Sequence, residues 1–518
     1  MKNQQQKLFP NFMLFLEEKN NIKFIIENNS IIAEIGTGFD KFNEITIKLI
    51  SQALINFFKS KNLKFLKFLI ANDGSNKYMP ILEKNIANVI SCQENKAYIF
   101  NKHEPIHEAF LKFSADLTDD FSISIFLRKY DKQKYALSFF NKNNDFVPNE
   151  VLKNVIEEYK KIEFSDVVEF DDEPEELDFK KVLNEYTKKV LQKNFTSGAN
   201  HVLKIGVINT KLQNSFVKKI LGKNDIAYTI LNNRLKEDKP KKIKYSLVYL
   251  SVLKNIEYIF KFSYDYRKLY IYKRNYSKKI TIEYELLDIS DLVVNYLSFL
   301  NNYVNTNQEF TELSKVFSSN FVKKENLSSV CTRYKLEYAN KWIVNFKNIY
   351  PNNDAIYFDE AYHLLITNTK NYGYDAFVLL SVFVDMFNYY KTQDMHYNDI
   401  IDQNLDLISK LIITEFEYDC DTTNVSDFET KLFIQDSIAQ IKVLSIEDIK
   451  NYYKDNYKYI AKFNFNEKEW MGLKYDFKNK KIIFTIQETI STKGNMAKKI
   501  KKYMSRFTKK YVVPLLDI

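Results

Sequence analysis

The chain has 518 residues, 45% of them hydrophobic and 15% aromatic, with a formal net charge of +10. This length and apolar content exclude a disordered chain and predict three to five packed domains. Charged residues make up 27%, close to the ordinary share of about 25%, so charge alone does not imply nucleic-acid binding, which needs Lys and Arg gathered on one face.

The abundance of Lys, Asn, Ile, Phe and Tyr has the look of an AT-rich genome. Glycine is scarce, nine in all, where average usage of about 7% would give roughly 36. Loops that cradle phosphate need glycine for close backbone approach, so several intact phosphate loops are not expected. Cys92, Cys331 and Cys420 show neither metal-ligand nor redox spacing and read as buried free thiols in a reducing interior. The run Phe9 to Leu16 is too short for a secretory core, and the longest apolar stretch, Phe377 to Val384, cannot span a bilayer. A soluble cytoplasmic protein without a transmembrane segment is expected.

In chain order, residues 44 to 58 carry apolar positions at helical spacing, and Phe65 to Ala71 reads as a buried strand ending at Asn72 and Asp73. Residues 80 to 91 predict a helix and Lys96 to Phe100 a strand, an alternation that argues for α/β layers with a mixed sheet. His103 to His107 spells H-E-P-I-H, the letters of a zinc-protease motif, but Pro105 opens a helix and leaves His103 outside it. Phe121 to Leu127 alternates serine with large apolar residues and predicts a strand, and Ala136 to Phe140 predicts a second. Between them lie Arg128, Lys129, Asp131, Lys132 and Lys134, readable as a solvated hairpin end or as an anion pocket.

Asp171 to Glu176 (DDEPEE) reads as a linker or helix start, before a helix from about Asp178. Strands are predicted at Leu203 to Ile208 and Ile243 to Leu250, followed by the strand-like segment 260 to 275, and a helix covers 377 to 393. The strand Ile482 to Ile486 is followed by a basic amphipathic helix, Met496 to Tyr511, with Met496, Ile500, Tyr503, Met504 and Phe507 on one face. That helix reads as the closing helix of its domain, with anionic membrane or a partner protein as the other reading.

These segments, in this order and spacing, resemble the phosphohexomutase family of phosphoglucomutases, phosphomannomutases and relatives. The family's catalytic loop reads T-A-S-H-N-P, its serine carrying the transferred phosphate; here it is Phe126, Leu127, Arg128, Lys129, Tyr130 and Asp131, with Ile125, Phe140 and Asn141 keeping the frame. Arg128 stands at the phosphoserine position and Lys129 at the neighbouring histidine. A guanidinium stays protonated at any pH of interest and is no nucleophile for a phosphoryl group, so no catalytic residue is expected to be intact. Upstream, Gly36, Gly38, Asn43, Glu44, Thr46 and Ile47 match the family's segment before its first long helix, while Ile32 replaces a phosphate-contacting arginine.

The three magnesium aspartates of D-P-D-A-D-R fall on Ser263, Asp265 and Arg267, with Lys268 at the arginine. No metal site is therefore expected, and no cofactor. Asp265 and Arg267 read as a surface pair, or Arg267 fills the metal position electrostatically. Lys341, within Asn340-Lys341-Trp342, and Asp359 and Glu360, at the family's sugar-specificity loop, are candidate phosphosugar contacts. Tyr389, Tyr390, Lys391 and Gln393 match the helix that follows. The terminal phosphate loop falls on Lys474 to Lys481 (KYDFKNKK), which has neither glycine nor serine or threonine.

The resemblance implies an α/β fold of four domains around a central cleft: three similar α/β domains with mixed sheets at 1–165, 166–303 and 304–425, and a smaller α+β domain at 426–518. It points to a catalytically inactive homologue kept as a binding or structural component of a protein assembly, cytoskeletal or motility-related in a wall-less, AT-rich bacterium. The alternative is a phosphosugar-binding protein or a residual mutase. Expected partners are other proteins of an assembly and a phosphosugar or phosphate anion, not nucleic acid.

Overall fold

The computed structural model describes residues 24–118, 120–131, 133–168, 174–192, 203–209, 214–223, 226–232, 243, 245–275, 283–304, 313–341, 355–367, 372–403, 408–420, 425–449, 452–454, 457–490 and 496–511. Phe9 to Leu16, Lys132, Asp171 to Glu173 and Trp342 lie outside the described residues. The chain divides into two compact units, one of residues 1–194, 204–268 and 372–381 and one of residues 195–203, 269–371 and 382–518.

In the first unit, β1 (Ile25–Glu27), β2 (Ser30–Glu34), β3 (Lys67–Asn72), β4 (Lys96–Phe100), β5 (Ile123–Lys129), β6 (Lys134–Asn141) and β7 (Glu175–Leu177) form a sheet in the order β1-β2-β6-β5-β3-β4-β7. β3 runs parallel to β4 and β5, while β5 and β6 form an antiparallel hairpin. β3 is buried from Phe68 to Asn72 and β5 from Ile123 to Leu127, as strands covered on both faces require. The helix Glu44–Ser60 starts at Asn43, whose side chain caps Ile45 and Thr46 and reaches back to the Gly36 and Gly38 carbonyls at 3.0 and 2.9 Å. The parallel direction of β3 and β5 carries Asn72, Asp73, Arg128 and Lys129 to the same end of the sheet.

Glu175 and Glu176 of the expected linker or helix start pair with β4 together with Leu177, extending the sheet, and Glu175 meets Lys96 at 3.0 Å. The expected strand from Ile243 to Leu250 is instead covered by the helix Tyr245–Leu253. Within the helix only Ser246 and Ser251 interrupt the apolar residues, too few to set a period that separates helix from strand, and the strand role falls to residues 258 to 262. β8 (Lys204–Asn209), β9 (Ala227–Asn232) and β10 (Tyr258–Phe262) are parallel, in the order β10-β8-β9.

In the second unit, β11 (Leu269–Asn275) pairs antiparallel with β12 (Glu283–Leu286). β13 (Lys315–Ser319), β14 (Glu337–Lys341), β15 (Ala355–Phe358) and β16 (Leu364–Thr367) form a mixed sheet in the order β14-β13-β15-β16. β17 (Leu411–Asp419), a short ribbon of β18 (Ser437–Ile438) and β19 (Ile441–Lys442), β20 (Ser445–Asp448), β21 (Tyr453–Lys454), β22 (Tyr457–Asn464), β23 (Trp470–Asp476) and β24 (Lys481–Thr489) follow. The last sheet is antiparallel, β17-β24-β23-β22-β20, with β21 on β22. The helix Met496–Tyr511 buries Ile500, Met504 and Phe507 in the core of this sheet and exposes Lys498, Lys499, Lys501, Lys502 and Arg506.

Phe321 packs edge-on against Trp470 and touches Tyr459, forming a small core with Ile449. Gly472 admits the Phe321 ring, because a Cβ at 472 would overlap it. Gly472→Ala is therefore expected to cost about 1–3 kcal/mol in overpacking, read by urea denaturation, with part of the loss recovered in a Gly472→Ala/Phe321→Leu double variant.

Lys462 is fully buried on β22, donates to the Asn320 carbonyl at 3.2 Å and lies 4.5 Å from the Trp470 ring centroid. Burial, reinforced by Lys324, pulls its ammonium down from 10.5 to about 8. Between these values the unfolded chain holds more protons than the native one, so stability rises with pH across that window. Lys462→Met is expected to remove that rise and to stabilise the protein at pH 7 by at most roughly 3 kcal/mol, measured by urea denaturation from pH 7 to pH 10.5.

Candidate functional site

The first unit brings the expected catalytic and metal loops together. Tyr130 and Asp131 donate their backbone N–H groups to the Lys134 carbonyl, both at 3.0 Å, closing the β5–β6 hairpin tightly. Arg128 donates from Nε to Ser138 Oγ at 3.1 Å, and Ser138 meets Ser30 at 2.8 Å, so the guanidinium is braced against the sheet. The Lys129 N–H donates to Asp73 Oδ2 at 2.6 Å, and Ser75 Oγ donates to Asp73 Oδ1 at 2.6 Å. Burial raises the Asp73 carboxyl, opposed by these bonds and by the Arg128 charge.

In the loop from 263 to 268, Ser263 Oγ and the Arg267 N–H donate to Asp265 Oδ1 at 2.6 and 3.2 Å. Burial would raise the Asp265 carboxyl, but Arg267 and Lys268 outweigh it and hold it below the usual range. Both residues are half-buried, and the Arg267 guanidinium stacks 5.4 Å from the Tyr374 ring centroid, so this is more than a solvated surface pair. Tyr264 donates to the Tyr130 carbonyl at 3.1 Å, fastening one loop to the other.

Glu108, which no motif marks, stands at the junction. Burial would raise its carboxyl, but Lys112, 2.8 Å away, with Arg267 and Arg128, brings it down to about 2. Lys112 also lies 4.5 Å from the Phe140 ring centroid. The arrangement is a self-neutralising cluster of carboxylates and cations. Within it, each of these cations faces a carboxylate of the same unit.

His103 and His107 do not converge. His103 sits in a short 3₁₀ turn with Nδ1 2.7 Å from Glu83, whereas His107 faces Asp375 at 3.5 Å and Tyr186 at 3.3 Å. Among the described residues, no group of three or more His, Cys, Asp or Glu side chains is placed to hold a metal.

In the second unit, Asp359 turns inward: Oδ1 accepts the Ala361 and His363 N–H groups at 2.9 and 3.1 Å, and Oδ2 meets His363 Nδ1 at 3.0 Å. Glu360 accepts from Ser319 Oγ at 2.6 Å and from the Tyr459 hydroxyl, with Lys474 Nζ at 4.0 Å. Lys474 is buried between Glu360 and Glu415, 3.9 Å away; burial would lower its ammonium, but the two carboxylates hold it above the usual value. Lys341 ends β14 in register with Ser319, exposed, its ammonium 5.3 Å from the Phe317 ring centroid. Residues 474 to 481 form a hairpin in which Asp476 accepts the Lys478 and Asn479 N–H groups, both at 3.0 Å. Sequence patterns did not reveal Asp73, Glu108 or Tyr459 as parts of these clusters. The strand end at Asn72 and Asp73 was the one local signal, since strand ends of parallel sheets present side chains to a crevice.

Because Glu108 is held at about 2 against an ordinary 4.5, the stability it confers is present above pH 4.5 and drains away as pH falls toward 2. Glu108→Gln is expected to lose on the order of 3 kcal/mol at pH 7 and to show a flatter acid limb. Urea denaturation at pH 7 and pH 3 checks both.

No family model and no curated protein matches this chain. Solved structures do. A Burkholderia thailandensis phosphoglucomutase/phosphomannomutase family protein is similar over 94% of this chain and 97% of its own, with 10% identity and a TM-score of 0.62. The Paramecium exocytosis-sensitive phosphoprotein pp63/parafusin, a phosphoglucomutase, in its open form, is similar over 90% and 91%, with 11% identity and a TM-score of 0.60. A Thermus thermophilus protein classed with the phosphomannomutases is similar over 94% and 99%, with 11% identity and a TM-score of 0.63. Over nearly its full length, the chain has the phosphohexomutase fold.

Proposed function

We propose that this chain is a phosphohexomutase-fold protein without mutase activity, serving in the cytoplasm as a binding or structural component of a protein assembly. The observation that carries the reading is Arg128, which the resemblance aligns with the phosphoserine and whose guanidinium is braced by Ser138 and acts on Glu108. Phosphohexose isomerisation through a phosphoenzyme needs a hydroxyl there to take and return the phosphoryl group. Arg267 beside Asp265 supports the reading, because a fixed cation repels a divalent metal from that loop. Asp476 supports it too, since a carboxylate already takes the backbone donors of the last hairpin. Among the described residues, no helix is long and apolar enough to cross a membrane. The exposed basic face of the helix Met496–Tyr511 suits an acidic protein surface.

The test is a coupled assay on the purified chain with glucose 1-phosphate and mannose 1-phosphate, the corresponding bisphosphate activators and Mg²⁺. No turnover above the protein-free blank is expected. Turnover matching an active phosphoglucomutase run alongside would end the proposal.

A further inference from the structure

In the first unit, the segment that leads from the helix Glu44–Ser60 into β3 presents apolar side chains to water. Residues 59 to 65 are all exposed, Leu63 to 47% and Phe65 to 74%. The segment is pinned at both ends. The Lys61 and Leu63 N–H groups donate to the Phe58 carbonyl, both at 3.0 Å, ending the helix. The Leu66 N–H donates to Asn95 Oδ1 at 2.9 Å, and the Leu66 carbonyl accepts from the Lys96 N–H at 3.0 Å. Asn62 and Phe65 both lie in the left-handed region, at φ 58° and 55°. Asparagine enters that region readily, whereas a phenylalanine there is strained. The fold thus bears strain at Phe65 and leaves its ring in water, and neither adds to the packing of the unit. That combination points to a surface outside the chain which the ring meets.

The charges beside these side chains indicate the surface. No acidic residue occurs from Ile45 to Asn72, a stretch that holds Lys48, Lys59, Lys61, Lys64 and Lys67. Lys67 is paired with Asp120, while Lys59 donates to the neutral Gln93 side chain at 3.0 Å and the Lys61 ammonium lies 5.8 Å from the Phe57 ring centroid. In the adjoining turn Glu94 is exposed, one carboxylate against the exposed ammonium groups of Lys59, Lys61 and Lys64. At the tip, the order Lys61-Asn62-Leu63-Lys64-Phe65 interleaves cations with the two apolar side chains.

We propose that this loop docks the protein on an anionic lipid bilayer, with the Leu63 and Phe65 side chains entering the boundary between headgroups and acyl chains and Lys61 and Lys64 meeting the anionic headgroups. A lysine stem lies along an apolar layer while its ammonium stays at headgroup level, so the two residue types serve one surface. A bilayer takes up a protruding ring anywhere on its plane, whereas an acidic protein would need a pocket matched to both apolar side chains. The basic face of the helix Met496–Tyr511 lacks such a tip, because its apolar residues Ile500, Met504 and Phe507 are spent in the core of its own sheet.

Sedimentation of the full chain with phosphatidylcholine vesicles, with and without phosphatidylserine, tests the proposal. Binding is expected with phosphatidylserine and not without it. The double variant Leu63→Ser/Phe65→Asn, which leaves the net charge unchanged, is expected to weaken binding at least about tenfold. Lys61→Glu/Lys64→Glu is expected to do the same. Phe65→Asn alone is expected to keep or raise stability in urea, since asparagine relieves the left-handed strain, and this separates a docking role from a packing role. In Phe65→Trp, brominated phosphatidylcholine mixed into the anionic vesicles is expected to quench fluorescence beyond the loss seen in the unsubstituted chain. No binding to phosphatidylserine vesicles overturns the proposal and leaves the loop to a protein partner. So does binding unchanged in Leu63→Ser/Phe65→Asn, which would assign it to cations elsewhere, or a Phe65→Trp fluorescence that brominated lipid leaves untouched.

Discussion

A cation taken out of water must find an anion or give up its proton more readily, as Lys462 does, and the described charged loops take the first course from within the chain. In the first unit, Arg128, Arg267 and Lys112 all act on Glu108, and Arg267 and Lys268 act on Asp265. In the second, Lys474 lies between Glu360 and Glu415. The consequence is local closure. The Tyr264 bond to Tyr130 and the Asp73 bond to Lys129 keep the charged loops of the first unit in one arrangement, where repelling cations would otherwise spread apart.

Much of this was legible in the sequence, for definite reasons. The alternation of Phe121 to Leu127 fixes which residues face the sheet, and the hairpin that follows is short enough for its register to hold Arg128 opposite Ala136. The basic residues at its end were readable in two ways. The braced Arg128 departs from the solvated reading, although the exposure of its neighbours does not depend on that brace. Residues 245 to 253 were misread because only Ser246 and Ser251 interrupt the apolar residues, too few to set a period. Glu108 was invisible for another reason: its partners come from Lys112 one turn away and from Arg128 and Arg267, far along the chain, and no local pattern encodes that convergence.

Glycine scarcity left its own mark on the backbone. The left-handed region is occupied by Gly38, Gly74 and Gly373, but also by Asn28, Asn29, Asn62, Asn144 and Asn255. Asparagine tolerates that region because its short amide bonds locally. The β1–β2 hairpin uses Asn28 and Asn29 together, where a two-residue turn of positive φ would ordinarily draw on glycine. Turn geometry thus survives without glycine, whereas a loop that must let a phosphate touch its backbone has no such substitute.

This difference separates what keeps the fold from what a phosphosugar site would need. The buried strands, the Asn43 cap and the Phe321–Trp470 contact draw their free energy from apolar burial and backbone hydrogen bonds, and none involves a ligand. A phosphate approaching the hairpin after β23 would compete with the Asp476 carboxylate for the Lys478 and Asn479 donors. One approaching Arg128 would compete with Glu108, whose pairing is worth more in a partly buried setting than in water. Internal carboxylates would therefore compete with an anion at these positions while they stabilise the loops, so the hydrogen bonds that hold these loops are made within the chain.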